Sequence, residues 1–208
     1  MGGPPGLLMA VIALIAGCNA PAAPTTKTPC DVGGRPDYFV PAPLESPLAI
    51  IGCARLGVSG KPVEFSANSR PIGRRDHVCL NPAYRGRGRL GIYIPAACVP
   101  DPVSRRLAVI GVEVPRQAVR GYQLVIWGTS AASTRRVVAH HEGGRTRAAV
   151  FTVGRPLARA AGVTRPFSVF VVELHPEAAC RRVLVRATGT AAPSTTWIRP
   201  RPRLCHSA

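Results

Sequence analysis

The apolar runs of this chain are short, rich in Val, Ile, Phe and Tyr, and closed by Gly, Pro or pairs of Arg. β-branched and aromatic side chains suit a pleated, half-buried surface, and Gly and Pro interrupt it, so the punctuation is that of strands. Strands are expected at Ala49 to Leu56, Val63 to Ala67, His77 to Leu80, Leu90 to Ile94, Leu107 to Val114, Tyr122 to Trp127, Arg136 to His140, Ala148 to Val153, Phe167 to Leu174 and Arg182 to Ala187. Ile110, Val112 and Val114 share one face with Glu113 opposite, which predicts a half-buried strand. Phe167 to Val172 is apolar on both faces except at Ser168, which predicts a central strand covered from both sides. Pro115 to Gly121 and Pro156 to Gly162 open with proline and close with glycine, the pattern of short helical turns. Short strands with turns between them imply an all-β fold, an antiparallel β-sandwich with one or two helical turns.

The start of the chain adds an address. Leu7 to Ala16 is an uncharged, mostly apolar stretch, too short to span a bilayer but of the length of a signal-peptide core, and Ile15-Ala16-Gly17-Cys18 closes it. Small residues before a cysteine resemble the processing site of bacterial lipoproteins. The resemblance covers only about the first 20 residues and departs from the usual pattern in one way, since residues 1 to 6 carry no Lys or Arg. It implies residues 1–17 as a signal peptide, cleavage after Gly17, and Cys18 lipidated at sulfur, with its new amino terminus open to acylation. Two or more acyl chains make such anchoring durable. The implied location is the extracytoplasmic face of the cell membrane. Residues 19–29, mostly Pro, Ala and Thr, cannot bury a core. At about 3.1 Å per residue they form a stalk of up to about 34 Å. Residues 30–208 then suit a single β-sandwich domain.

Six cysteines remain beyond Cys18: Cys30, Cys53, Cys79, Cys98, Cys180 and Cys205. An even number in an exported chain reads as three disulfides, because the compartment is oxidising. No C-x-x-C pair occurs, so neither a structural zinc site nor a thioredoxin-type motif is expected. Four of the six crowd the first part of the domain, where two bridges are expected, leaving Cys180 and Cys205 to tie down the tail. Trp127 between Cys98 and Cys180 invites comparison with the immunoglobulin fold, but Ala178 stands where its corner tyrosine would be. Immunoglobulin-like therefore describes the architecture only.

Basic residues outnumber acidic ones 27 to 10, a net charge of +17. Nucleic acid would be the partner inside a cell, but export removes it, leaving anionic lipid, a wall polymer or a protein. Nearly all of the basic residues are Arg, in a chain rich in Ala, Gly and Pro, a bias that GC-rich codons also produce. The densest cluster is Arg85, Arg87 and Arg89 with Arg74 and Arg75 upstream, the candidate contacts for an anionic surface. A solvated loop is the competing reading.

Candidate chemistry is weak. Gly128 to Ala132 partly imitates a nucleophile elbow but lacks the last glycine and the following helix, so a hairpin loop is expected. His140 and His141 would point to opposite faces of a strand, and with Glu142, Gly143 and Gly144 they read as a polar hairpin end. Glu173, His175 and Glu177 alternate, but Pro176 marks a strand end and turn. No catalytic, cofactor or metal residue is assigned. The expectation is a lipid-anchored binding or structural module of a high-GC bacterium. The alternatives are an exported hydrolase built from Ser130, His140 and Glu142, or a metal-binding protein using His140 and His141.

Overall fold

The computed structural model describes residues 49–84, 92–93, 97–101, 103, 106–113, 124–175, 178, 181–189 and 192–199. Cys18, Cys30, Cys180, Cys205, Arg85, Arg87, Arg89 and Glu177 lie outside them, as do the signal segment, the stalk and the expected turn at Pro115 to Gly121.

Thirteen strands and one helix appear in the described residues, in three antiparallel sheets, so the fold is the all-β sandwich that the punctuation predicts. Sheet A runs β1 (Ala49–Arg55), β2 (Pro62–Ile72), β3 (Arg75–Tyr84), β4 (Ile92–Tyr93), with β5 (Ala97–Pro100) also paired to β3. Sheet B has the order β10 (Ala149–Val153), β11 (Phe167–Leu174), β7 (Leu124–Ala131), β6 (Ala108–Glu113). Sheet C has the order β13 (Ser194–Ile198), β12 (Val183–Gly189), β8 (Thr134–His141), β9 (Gly144–Arg147).

Sheet B is the middle layer, and the alternation along its strands shows why. Val125, Trp127, Phe167, Val169 and Val171 pack with Phe65, Val63, Val78 and Leu80 of sheet A. Their neighbours Leu124, Ile126, Phe170, Val172 and Leu174 pack with Val137, Ala139, Val183 and Val185 of sheet C. β11 is buried along all of its length, between β10 and β7, the position its two-sided apolar pattern predicts. A middle sheet needs apolar residues on both faces, and an outer sheet on one; Ala139 and Val185 therefore alternate with Arg186 and His140 in sheet C. The sandwich thus has one layer more than the two sheets of an immunoglobulin domain.

Two close approaches hold the middle sheet. Gly111, where β6 shifts register against β7, lies under the Trp127 ring, and a Cβ there would fall 1.9 Å from it. At Gly128 a Cβ would fall 2.1 Å from the Ala108 carbonyl oxygen. Gly128 to Ala131 are consequently strand, and the turn is Ala132–Ser133, a correction to the hairpin loop expected at Gly128 to Ala132. Residue-by-residue pairing with β11 outweighs the loop-like composition.

The helical turn expected at Pro156 is α1 (Arg155–Ala160), with Pro156 in its first turn. Gly162, at φ +74°, ends it in the left-handed conformation that favours glycine. Ala158, Ala161 and Val163 seat it on the core between sheets A and B. Cys79 and Cys98 are register partners on β3 and β5 and form a disulfide. Cys53 is also disulfide-bonded, to a partner outside the described residues.

Candidate functional site

Register assembles one side-chain surface that no stretch of sequence contains, the outer face of sheet C. Val183, Val185 and Ala187 of β12 and Val137 and Ala139 of β8 turn inward to the core. The alternate residues must then face away from sheet B. Across the four strands, pairing places Trp197, Leu184, His140 and Arg145 in one row. The next row holds Thr195, Arg186, Val138 and Arg147, and a third sets Thr188 beside Arg136.

Arg136, Arg145, Arg147 and Arg186 are all exposed on this face, and Trp197 is 64% exposed, the most of any large hydrophobic residue described. Val138, flanked by Arg147 and Arg186, is only 9% exposed. Arginine stems cover apolar neighbours in this way while the guanidinium heads stay in water. Strand spacing sets the grid: Arg145 and Arg147 stand about 7 Å apart along β9, and Arg147 and Arg186, two strands apart, about 10 Å. Arg186 lies diagonally from Trp197, at about 7–8 Å between backbones. The strands of sheet C contain no Asp or Glu. The acid nearest in sequence, Glu142 in the β8–β9 turn, is ion-paired to Arg181.

At this end of β8, strand alternation separates the two adjacent histidines. His140 is exposed on the outer face, whereas His141 turns toward the core edge, half-buried, with Nε2 3.1 Å from Thr146 Oγ1 and Nδ1 buried without a partner. Burial, then the nearby His175 and His140, hold the His141 imidazole below its ordinary value of 6.5. The residues form the polar hairpin end that the sequence predicts, with His141 opposite Gly144. Among the described residues, no three His, Cys, Asp or Glu come together as metal ligands.

The hydrolase constellation does not assemble. Ser130 is buried near the β7–β8 turn, and its hydroxyl has no partner. His140 and Glu142 lie at the far end of β8, about 20 Å along the strand. A shallow, solvent-open cleft lies near Ala131 and Ser133, where Leu107, Thr134, Gly189 and Ser194 help line it and, among the described residues, no titratable side chain does. Acid–base chemistry needs such a group within hydrogen-bond reach.

Of the predicted anion contacts, Arg74 and Arg75 sit exposed at the tip of the β2–β3 hairpin, beside Arg70 and the 45%-exposed Ile72. That tip belongs to sheet A, separated by sheet B from the basic face of sheet C. The sequence signal that could have found the second surface is the alternation in Arg145-Thr146-Arg147 and in Leu184-Val185-Arg186, which marks outward positions once the strands are known. No family model, curated protein or solved structure matches this chain.

Proposed function

We propose that this chain is a lipid-anchored module on the extracytoplasmic face of a bacterial membrane, held at Cys18 and acting by contact with an anionic envelope component. The observation that carries the reading is the outer face of sheet C, where four exposed arginines and an exposed tryptophan share a face of strands that hold no Asp or Glu. Compositional bias alone accounts for many arginines, but not for their segregation from acids on a sheet face that also leaves Trp197 in water. The disulfides at Cys79–Cys98 and Cys53 suit an oxidising compartment and support export. The separation of Ser130 from His140 and Glu142 favours contact over hydrolysis.

Fractionation of cells expressing Cys18→Ala tests the anchor. The variant should leave the membrane fraction for the soluble extracytoplasmic fraction or remain as unprocessed precursor. Fully processed variant retained in the membrane as strongly as the parent would overturn the proposal.

A further inference from the structure

We infer that the outer face of sheet C is a docking surface for an anionic polysaccharide, a chain of sugar rings bearing carboxylate groups. The inference rests on the anchored reading in one respect: export makes surface polymers, in place of nucleic acid, the polyanions within reach. Its residues are Trp197, Arg136, Arg145, Arg147, Arg186 and His140.

Charge complementarity names the sign of the partner. Four guanidinium groups stand on one face of sheet strands that hold no acid, and Glu142 at the turn is already engaged by Arg181. Positive side chains rooted at backbone positions about 7 and 10 Å apart favour a polyanion whose charges repeat along a chain over a single small anion. Guanidinium forks match carboxylates in plane, two N–H groups to two oxygens.

Trp197 narrows the class. It stands on the edge strand β13, 64% exposed, with Leu184 directly across the register and Arg186 on the diagonal. An indole face in water is a platform for a ligand that is itself flat and partly apolar. The C–H face of a pyranose ring is such a surface, and its hydroxyls suit Thr195, which shares the face. A lipid bilayer is the weaker match. Membrane docking draws on buried apolar area, and this face offers one projecting indole among arginines, whereas interfacial elements present a broad apolar side. A simple polyanion would use the arginines and leave the indole without a role.

The two tryptophans make the idea measurable in the full-length chain. Trp127 is 2% exposed and serves as an internal constant, so a change in emission on ligand addition reports Trp197. Titration with an oligogalacturonate should shift Trp197 emission with an affinity that falls steeply as salt rises. Neutral dextran should bind at least tenfold more weakly, roughly the effect of 1.4 kcal/mol. The double variant Arg145→Gln/Arg186→Gln should lose about tenfold in affinity, and Trp197→Phe should weaken binding several-fold by calorimetry while retaining the parent's thermal midpoint. Unchanged affinity in the double variant would overturn the inference. So would inorganic polyphosphate binding as tightly as the oligogalacturonate with Trp197 emission unmoved, which would mean unspecific charge attraction. Tighter association with phosphatidylglycerol vesicles would overturn it in favour of a membrane surface. Because none of these titrations depends on lipidation, their failure is distinct from failure of the Cys18 fractionation.

Discussion

Glu173 Oε2 accepts hydrogen bonds from the backbone N–H of Ser59 at 2.6 Å and of Val58 at 2.9 Å, joining the end of β11 to the loop between β1 and β2 across 114 and 115 residues of sequence. The Ser59 hydroxyl adds a third bond at 3.1 Å. Glu173 shares the parity of Val171 and Val169, so it closes the end of the core between sheets A and B, and it is 1% exposed. Glu173→Ala removes the acceptor for three donors and should cost about 1–3 kcal/mol. Glu173→Gln retains one acceptor oxygen and should cost less. Urea denaturation of the two variants checks the order; equal stability of Glu173→Ala and parent would show that the bonds contribute nothing net.

Close packing over Gly111 and Gly128 leads to a second expectation. A methyl group at either position needs space held by the Trp127 ring or the Ala108 carbonyl. Gly111→Ala should destabilise by about 1–3 kcal/mol and alter the near-ultraviolet circular dichroism, since the indole must move. Gly128→Ala should be the worse of the two, because a backbone oxygen cannot rotate away. Thermal melts of both variants decide the ranking.

The Cys79–Cys98 bridge closes a loop with a sequence separation of 19 and fixes β5, a four-residue strand, on β3. Chain-entropy arguments assign such a loop about 3 kcal/mol. The double variant Cys79→Ala/Cys98→Ala should lose an amount of that order. Thiol labelling of the denatured, unreduced parent should find Cys53, Cys79 and Cys98 blocked, and should label all three after reduction.

His141 predicts a pH dependence. Its folded value lies below 6.5, so between the two values the unfolded chain binds more protons and stability rises with pH. The contribution is fully present above 6.5 and is lost as acidification carries the pH down through the folded value. His141→Gln should flatten that part of the profile. Denaturation at pH 7.5, 6.5 and 5.5 compares the slopes, and identical slopes in variant and parent would remove His141 as the cause.

Most of the fold was legible for local reasons. β11 was readable because a strand covered on both sides must be apolar on both, and α1 because Pro156 and Gly162 bracket it. The strands not read were β5, β9 and β13, which lie at sheet edges. Gly144–Arg147 and Ser194–Ile198 carry few apolar residues, since an edge strand takes its hydrogen bonds from one neighbour and turns much of its surface to water. Gly128 to Ala131 misled in the opposite sense, because their small and polar composition resembles a loop although Gly128, Thr129 and Ser130 are buried in the middle sheet, with Gly128 against the Ala108 carbonyl.

The sequence by itself determined the class of the fold and the likeness of its first residues to a lipoprotein signal, because strand punctuation and a processing site are written in neighbouring residues. Tertiary structure alone decided that there are three layers, that Ser130 and His140 stand apart, and that Arg136, Arg145, Arg147, Arg186 and Trp197 share a face. The physical reason is that strand pairing is non-local. Register, not spacing along the chain, sets which side chains meet, and a one-residue shift would turn each of them inward.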